Sequence, residues 1–461
     1  MKFVPRDYQL LIIDHIKSNK RVNVWAGMGM GKTSSTATAI YEMMAYPALI
    51  VAPKRVAVGT WPDEYAKWDH LCDTRVSVLV GNPKQRLLAL NRKADVYVIN
   101  YENLAWLYEH LDFDFKCVVA DESTKLKSFR TRRKKSKTTG KVVMKPSWCL
   151  AKISCKASRH INLTGTPSPN GLIDLWGQNW FVDQGKRLGA SFAAFEARWF
   201  KTIVLGDNAF AKKLEPWPHA QKEIQDRLKD VTLSIEAKDW LDIKKPIANV
   251  VRFSLPKKAD AIYREMENKM YVELGDGVEA LGPAGKMSKC MQISSGFIYD
   301  EDGSAHDIHD QKVDVLQSIV EESAGMPVLV AYWWKKDVEK IQNKFKKSVV
   351  LDDDPKTVKK WNAGKIPMML VHPMSCGHGI NLQDGGNILV FYSDWWNLEA
   401  HQQVIERIGP TRQHQSGHDR PTFVYHIVAD GTIDEDVMES HKSKASLQQI
   451  IMDRMKKKLA S

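Results

Sequence analysis

Residues 21–34 read Arg21-Val22-Asn23-Val24-Trp25-Ala26-Gly27-Met28-Gly29-Met30-Gly31-Lys32-Thr33-Ser34, an apolar run followed by a glycine-rich loop. The run predicts a β-strand, and the Ser- and Ala-rich residues after the loop suit a helix. Glycines let backbone N–H groups turn toward phosphates, the helix N-terminus adds a favourable dipole, Lys32 supplies a cation and Thr33 a magnesium ligand. The stretch from Gly27 to Ser34 is therefore predicted to bind ATP, although Ala26 stands where the Walker pattern has glycine.

An acidic pair, Asp121-Glu122, comes directly after the apolar run 115–120. The carboxyl ends of strands in an open α/β sheet face the ligand crevice. Asp121 is thus a candidate magnesium ligand, and Glu122 a candidate for polarising the attacking water. Together with Lys32, these residues are predicted to be catalytic.

Short β-branched or apolar runs alternate with helical stretches in two series along the chain. The first series comprises residues 21–26, 48–52, 76–80, 95–100, 116–120 and 160–164, and the second comprises 328–332, 348–351, 368–372, 387–392 and 422–428. Such alternation predicts parallel sheets with crossover helices. We therefore expect an α/β fold with two domains in tandem.

The predicted domains span residues 1–184 and 249–445. The stretch 185–248 between them has helical patterning and lacks good strand candidates, so we expect a helical insertion and connector there. A helical segment is predicted at 257–300, interrupted by a Gly-rich turn. Residues 446–461 predict a basic C-terminal helix and tail.

The composition indicates a globular protein with a polyanionic partner. Of its 461 residues 43% are apolar, and the net charge is +12, which favours phosphates because Lys and Arg gain free energy by releasing counterions. No apolar run approaches the ~18–20 residues that span a bilayer, and no signal peptide is recognisable, so we expect a soluble protein of the bacterial or phage-infected host cytoplasm. The six cysteines form no C-x-x-C pair, so we expect reduced thiols and no structural metal.

Taken together, these motifs resemble helicase superfamily two, and within it the Swi/Snf-type ATPases, particularly the small phage and prophage members. The resemblance covers most of the chain and implies two RecA-like P-loop domains with helical insertions, an ATPase site in the cleft between them, and ATP and magnesium as ligands. It implies that Gln9, in Arg6-Asp7-Tyr8-Gln9, recognises the adenine base alongside Arg6.

Two further segments of the first domain match the family pattern. Residues 163–170 are close to its LTGTP-x-x-N segment, which implies that Thr164, Gly165 and Thr166 couple the state of ATP to domain movement. Asp121-Glu122-Ser123-Thr124 resembles the DEAH-like box, with Ser-Thr in place of Ala-His. The usual His contact to the coupling segment is therefore missing or differently made.

DNA contacts in the first domain are implied by two segments of the resemblance and by one charge run. Residues 49–53 with the helix 61–68, and residues 99–102, look like DNA-tracking segments, and the candidate contacts in the first domain are Lys54, Arg55, Tyr101, Lys125, Lys127, Arg132 and Arg133. Trp61, Tyr65 and Trp68 fall on one helical face, so core packing is the alternative for them. The run 125–145 carries ten basic residues and no acid, and predicts a DNA-contacting loop, with a solvated charge run as the alternative.

The second domain carries the remaining family segments. Residues 374–383 resemble S-x-x-G-x-G-x-N-L-Q, residues 392–397 resemble D-x-x-W-N, and residues 402–413 resemble an arginine motif. The candidate residues that these segments supply are Ser375, Gly377 and Trp396 for DNA binding, Gly379 and Asn381 for ATP binding, and Gln403 for coupling. Arg407 is assigned to the γ-phosphate. Pro410 stands where a second arginine is expected, so Arg412 is the alternate, and surface salt bridges are the other interpretation of both.

The sequence thus predicts an ATP-dependent DNA motor that translocates on double-stranded DNA. An unwinding or branch-migrating helicase is the runner-up, and an ATP-switched nucleic-acid-binding scaffold with little hydrolysis is the alternative from another class. No appended chromatin-reading domain is found, which argues against a nucleosome remodeller. We expect no membrane partner, and the sequence leaves a monomeric state open.

Overall fold

The computed structural model describes residues 1–129, 133–135, 142–204, 212–269, 271–272, 278–279, 282–376 and 380–454. The first of two compact units comprises Met1–Leu241 together with residues 446–454, and the second comprises Asp242–Ala445. Three predicted site residues, Arg132, Gly377 and Gly379, lie outside the described residues, as do residues 455–461 of the predicted tail.

The strands of the first unit are β1 (Arg21–Ala26), β2 (Ala48–Ala52), β3 (Val76–Val78), β4 (Val96–Asn100), β5 (Cys117–Asp121), β6 (Arg133–Lys135), β7 (Val142–Met144), β8 (Arg159–Thr164), β9 (Phe200–Val204), β10 (Lys212–Pro216) and β11 (Thr232–Ile235). Within the described residues, seven of them form a parallel sheet in the order β11-β1-β8-β5-β2-β4-β3. The pairs β6–β7 and β9–β10 are antiparallel hairpins.

Helices cover both faces of this sheet, and its strands are accordingly buried along almost their whole length. The helices of the first unit are α1 (Asp7–Ser18), α2 (Lys32–Glu42), α3 (Trp61–Lys67), α4 (Pro83–Leu90), α5 (Leu104–His110), α6 (Pro146–Lys156), α7 (Leu175–Asp183), α8 (Phe192–Trp199) and α9 (Ala220–Leu228). One core cluster includes Leu49, Val51 and Trp25, and the cluster on the opposite face includes Val24 and Ile50.

The prediction that residues 185–248 lack strands is wrong. The helices α8 and α9 lie there, but so do β9, β10 and β11, and β11 pairs in parallel with β1. Thr232 and Ser234 interrupt the apolar pattern of β11, and their burial is made possible by polar partners: Asn23 Nδ2 donates to Thr232 Oγ1 at 3.1 Å. Most of the expected connector is therefore part of the first unit.

The second unit repeats the architecture with a smaller sheet. Its strands are β12 (Ile247–Phe253), β13 (Tyr271–Val272), β14 (Val278–Glu279), β15 (Phe297–Tyr299), β16 (Ala305–Asp307), β17 (Val328–Ala331), β18 (Ser348–Val350), β19 (Met368–Val371), β20 (Ile388–Phe391) and β21 (Phe423–Ala429). In the described part of this unit, six strands form a parallel sheet in the order β12-β21-β20-β17-β19-β18. The edge strand β12 was not predicted, because five of its residues alternate between exposed and half-buried positions before the sequence reaches Phe253.

The helices of the second unit are α10 (Lys257–Lys269), α11 (Gly282–Ser294), α12 (Gln311–Glu322), α13 (Lys335–Lys344), α14 (Pro355–Asn362), α15 (Pro373–Cys376), α16 (Leu398–Ile408), α17 (Pro410–Gln415) and α18 (Ile433–Arg454), the last of which continues beyond the unit's final residue. The predicted helical segment 257–300 contains α10 and α11, but also β13, β14 and β15. Among the described residues, none of the helices combines the length and the apolar character that crossing a membrane requires. The two parallel sheets with flanking helices confirm the predicted fold class.

Candidate nucleotide site

Three neighbouring strands of the first sheet end at one edge, and each leads into a predicted site segment. The strands β1, β8 and β5 are adjacent and parallel, with Trp25 in register with Thr164 and Asp121 in register with Leu163. Because the carboxyl ends of parallel strands share one edge, the glycine loop, the LTGTP segment and the acidic pair meet there.

The glycine loop adopts a conformation that depends on its glycines. Gly29 and Gly31 have φ of 77° and 66°, and Gly31 immediately precedes α2. A Cβ on Gly31 would lie 2.1 Å from Gln9 Nε2, so a side chain at this position would be strained by φ and would displace the Gln9 amide. The Lys32 ammonium donates to the carbonyls of Ala26 at 2.7 Å and Gly27 at 3.1 Å. The cation and the helix N-terminus are thus held at the loop.

The residues predicted to read adenine lie beside the loop. Gln9 is 9% exposed, its Oε1 accepts from the Arg6 backbone N–H at 2.9 Å, and its Nε2 lies 3.4 Å from Ser34 Oγ. The Arg6 guanidinium donates to the Tyr8 hydroxyl at 3.3 Å. Gln9 therefore bridges the start of α1 and the start of α2, which fixes its side chain next to the phosphate loop.

Asp121 is a buried carboxylate with two fixed donors. Its Oδ2 accepts from Trp61 Nε1 at 2.9 Å and its Oδ1 from the Glu122 backbone N–H at 3.1 Å. Burial raises the pKa of Asp121, and the Trp61 hydrogen bond, the Lys32 charge and the Glu122 N–H oppose that rise. The charge of Lys32 thus favours the ionised form of Asp121.

Glu122 occupies the left-handed region, with φ of 53° and ψ of 57°. A non-glycine residue rarely adopts this conformation, which costs about 1 kcal/mol or more. The strained turn directs the chain from β5 into the short 3-10 helix Ser123–Leu126. The half-buried Glu122 is therefore set by its backbone at the sheet edge.

The side chain of Tyr101, which was predicted to contact DNA, is buried beside the acidic pair. The side chain is 8% exposed, and its hydroxyl donates to the Asp121 carbonyl at 2.8 Å. Burial strongly raises the pKa of this hydroxyl, so it remains a donor. We therefore reassign Tyr101 from DNA contact to support of the acidic pair. The signal that could have indicated this is its position directly after the buried strand β4.

The acidic box and the coupling segment are linked by Gln178, which the sequence did not single out. Ser123 Oγ donates to Gln178 Oε1 at 2.9 Å, and Gln178 Nε2 donates to the Pro167 carbonyl at 2.7 Å. This chain thus makes the contact between the two segments without the family's His. No local pattern marks Gln178, because its partners are distant in sequence.

The coupling segment also touches the glycine loop. Thr164 Oγ1 accepts from the Thr166 backbone N–H at 3.1 Å, and both side chains are buried. A Cβ on Gly165 would lie 3.3 Å from the Ala26 carbonyl oxygen. The close approach of the two backbones at Gly165 is the reason that this position favours glycine.

In the second unit, the two predicted ATP-facing segments contact each other. Arg407 is 3% exposed, and its Nη1 donates to the Ile380 carbonyl at 3.2 Å. Arg412 donates to Asn381 Oδ1, so the alternate arginine and the predicted ATP ligand form a pair. Gln403 is 4% exposed on α16, the helix that also carries Arg407.

The predicted DNA contacts differ in exposure. Lys54, Lys125 and Ser375 are exposed, whereas Arg55, Lys127 and Trp396 are partly buried, and only the backbone of Arg133 is described, in β6. Trp396 packs against the cluster that contains Tyr263 and Met266. The aromatic residues Trp61 and Tyr65 are 0% and 2% exposed, which confirms the alternative of core packing for them.

The donor set at the sheet edge suits a magnesium nucleotide. Thr33 offers a hydroxyl and Asp121 a carboxylate, which are oxygen ligands of the kind that magnesium prefers. The glycine loop at the N-terminus of α2 and the Lys32 ammonium are arranged for phosphate. The residues present therefore fit ATP with magnesium.

Comparison with known proteins identifies the family. Residues 24–279 match the SNF2-related domain. The chain is 52% identical to putative protein p41 of Acyrthosiphon pisum secondary endosymbiont phage 1, over 99% of each chain. It is 24% identical to the CHD3-type chromatin-remodeling factor CHR7 of Arabidopsis thaliana over 97% of this chain and 37% of that protein. It is 23% identical to the uncharacterized ATP-dependent helicase MG018 of Mycoplasma genitalium over 91% of this chain and 39% of that protein.

The chain spans little more than a third of the length of the remodelling factor and of the helicase, whereas it matches the phage protein from end to end. More than half of its residues fall within the matched domain, and the glycine loop, the acidic pair and the coupling segment all lie in that part. This chain is a member of the SNF2-related family.

Proposed function

We propose that this protein is an ATP-driven motor that hydrolyses ATP to translocate on double-stranded DNA. The observation that supports the proposal most is the meeting of three strand ends at one sheet edge, where Lys32 influences the pKa of Asp121 and the LTGTP segment touches the glycine loop. Membership of the SNF2-related family and the similarity to a protein named as an ATP-dependent helicase point to the same nucleotide.

Each candidate site residue of the first unit has a definite role in the proposed reaction. Lys32 and the N–H groups of the loop bind the phosphates, and Thr33 and Asp121 hold the cation. Magnesium, when bound, would neutralise phosphate charge during transfer. Glu122 orients the attacking water and accepts its proton. Gln9 and Arg6 recognise the base. Trp61 and Tyr101 keep the acidic pair in position.

Charge development in phosphoryl transfer requires a further cation, and we assign it to Arg407 of the second unit, with Arg412 as the alternate. An arginine in this role accelerates transfer by about 10³ to 10⁵. Gly379 and Asn381 belong to the proposed ATP contacts and Gln403 to the coupling residues. Because such an arginine must approach the phosphates, hydrolysis would depend on movement of the two units.

Two of the proposed DNA contacts, Lys54 and Lys125, follow strands whose carboxyl ends lie at the edge of the first sheet that carries the glycine loop. Lys54 follows β2 and Lys125 follows β5, two paired strands whose carboxyl ends share an edge, and both lysines are exposed. A net charge of +12 favours a phosphate backbone as partner. DNA bound along this edge would sense the acidic pair and the coupling segment directly.

Steady-state ATPase measurements test the proposal. We expect ATPase activity to rise with added duplex DNA. Lys32→Ala and Glu122→Gln should each nearly abolish it. Lys17→Ala serves as the control, because Lys17 is exposed and pairs with Glu42 away from the loop. Full activity in purified Glu122→Gln protein, or activity indifferent to DNA, would contradict the assignment.

Translocation is separated from its alternatives by paired assays. A translocase displaces a third strand from a triplex without opening a fork, whereas an unwinding or branch-migrating helicase opens the fork. A scaffold that is only switched by ATP would bind DNA in an ATP-dependent manner with negligible turnover. We expect triplex displacement without fork opening.

A further inference from the structure

Four side chains of the second unit, to which no role has been assigned above, converge on one point. Asp394 follows β20, His401 lies on α16, His426 in β21 and His441 on α18. Asp394 Oδ2 lies 2.8 Å from His401 Nδ1, 3.6 Å from His441 Nδ1 and 3.9 Å from His426 Nδ1. Their side chains are 8–16% exposed, so the cluster is largely shielded from solvent.

The spacing of these atoms fits a tetrahedral metal ion. Zinc binds imidazole nitrogen and carboxylate oxygen at about 2.0–2.2 Å, which places two ligand atoms about 3.3–3.5 Å apart. The three distances from Asp394 Oδ2 bracket this separation. One ligand atom from each of Asp394, His401 and His441 lies within 4.8 Å of the others. His426 adjoins this group through its 3.9 Å approach to Asp394 Oδ2.

The protonation states of Asp394, His426 and His441 suit a metal ion. Burial lowers the pKa of His426 and of His441 to about 4, so both imidazoles are neutral at pH 7. Burial alone would raise the pKa of Asp394, but its interactions with His401, His441 and His426 hold it below its ordinary value. A carboxylate together with imidazole nitrogens is a ligand set for zinc and similar ions rather than for magnesium or calcium.

Neighbouring groups hold the candidate ligands in place. Asp394 Oδ1 accepts from the Trp395 backbone N–H at 2.8 Å, which leaves Oδ2 toward the imidazoles. The ring of Phe391 stacks on His401 at 4.2 Å and on His426 at 4.9 Å. Such outer contacts orient ligands in known metal sites. His426 Nδ1 is buried without a hydrogen-bond partner among the described residues, an unsatisfied group that a metal ion would satisfy.

A charged pair beside the cluster does not neutralise Asp394. A cavity of about 10 Å³ adjoins Asp394 and His426 and is also lined by Lys312 and Asp434. Lys312 and Asp434 pair with each other at 2.8 Å. The Lys312 ammonium is therefore engaged by its own carboxylate and does not take the place of a cation at Asp394.

We propose that Asp394, His401 and His441, with His426 as the fourth ligand, bind one divalent transition-metal ion of the zinc class. Because all four positions are filled from the protein, the site is structural and not catalytic. It would join α18 and β21 to α16, the helix that carries Gln403 and Arg407. The expectation of no structural metal was based on cysteine patterns, and three histidines and one aspartate from separate parts of the fold leave no such pattern.

Metal binding to the full chain tests the proposal. The purified protein is stripped with a chelator, and zinc ions alone are titrated in against a chromophoric competitor, without nucleotide. We expect one tightly bound ion per chain and a higher midpoint of thermal unfolding. Cobalt(II) should give the strong visible absorption of a tetrahedral centre. A stripped, folded protein that binds no zinc tightly and gives no such cobalt spectrum would overturn the proposal.

Variants locate the ion. His401→Gln and His441→Gln should each abolish tight binding, and His441→Cys, which supplies another zinc ligand, should restore it. His418→Gln is the matched control, because His418 pairs with Asp384 at 2.9 Å in a two-residue arrangement and should leave binding unchanged. The wild-type titration does not depend on whether a variant folds. Equal binding by His401→Gln, His441→Gln and wild type would place the ion elsewhere and refute the assignment.

Discussion

The indole of Trp61 donates a 2.9 Å hydrogen bond to Oδ2 of Asp121, a residue 60 positions further along the chain. Trp61 begins α3 and is 0% exposed, whereas Asp121 ends β5 and is 6% exposed. The bond connects a helix that follows β2 to the proposed magnesium ligand. A buried carboxylate that lacked this donor would be costly, so the pair matters for stability and for metal binding alike.

Trp61→Phe retains an aromatic ring but removes the donor. We expect a loss of about 1–3 kcal/mol in the free energy of unfolding and a higher magnesium concentration for half-maximal ATPase activity, because the carboxylate loses a group that favours its charged form. Magnesium titrations and urea unfolding measure the two effects. Tyr65→Phe is the control on the same helix, since the buried Tyr65 hydroxyl has no hydrogen-bond partner among the described residues. An unchanged magnesium requirement in Trp61→Phe would contradict the role.

Gly31→Ala should weaken ATP binding. Its new Cβ would displace the Gln9 amide, and its φ of 66° would cost about 1 kcal/mol or more. We expect KM for ATP to rise at least about tenfold, which corresponds to 1.4 kcal/mol. Gly59→Ala, where the nearest neighbouring atom is 4.0 Å from the added Cβ, should leave KM unchanged. Equal KM values for Gly31→Ala and wild type would contradict the proposed placement of Gln9.

The link through Gln178 is tested by Gln178→Met, which keeps the length of the side chain and removes its polar atoms. Stability should fall by about 1–3 kcal/mol because Ser123 loses a buried partner. DNA stimulation of the ATPase should fall several-fold while the DNA-free rate changes less, since the acidic box and the coupling segment would no longer be joined. Ser154→Ala, which removes a buried hydroxyl elsewhere in the first unit, should leave the stimulation ratio intact. A normal ratio in Gln178→Met would make the link purely structural.

The arginine assignment is tested by comparing Arg407→Ala, Arg412→Ala and Arg420→Ala at saturating ATP. Arg420 donates to Gln413 Oε1 at 2.9 Å and to the Gln383 carbonyl at 2.6 Å, which makes it a structural control. We expect Arg407→Ala to lower kcat about 10³-fold, well beyond the control. A larger loss in Arg412→Ala would transfer the role to the alternate, and equal, mild losses would remove both from it.

His160 should make the first unit sensitive to acid. Burial, with help from the charge of Arg21, lowers the pKa of His160 to about 3, and its neighbours Ser154 and Asn162 bind the neutral ring. The unfolded chain takes up a proton near pH 6.5 and the folded chain does not, so stability falls as pH drops below that value. Between pH 7 and pH 5, the wild type should lose about 2 kcal/mol more than His160→Gln. Urea unfolding of both proteins at both pH values measures this difference. His219→Gln, a substitution at an exposed position, should lose as much stability as the wild type.

Local features of this chain were predictable, and distant partnerships were not. The glycine loop, the acidic pair and most strands are each formed by contiguous residues. Their order along the chain was therefore sufficient to predict the fold class. Trp61 and Gln178 contribute through partners 60 and 55 residues away, and nothing in their own neighbourhoods indicates those partners. The strand β11 escaped prediction for a related reason, since Thr232 becomes an acceptable buried residue only beside Asn23.

The placement of β11 beside β1 has a practical consequence for dividing the protein. A fragment that stops at residue 184 would leave the backbone N–H and C=O groups on one side of β1 without a partner and expose the hydrophobic strand that leads into the glycine loop. Open strand edges of this kind recruit other chains and cause aggregation. The shortest soluble fragment that retains nucleotide binding should therefore extend to Leu241. During synthesis, β1 can pair with both of its neighbouring strands only after β11 has been translated.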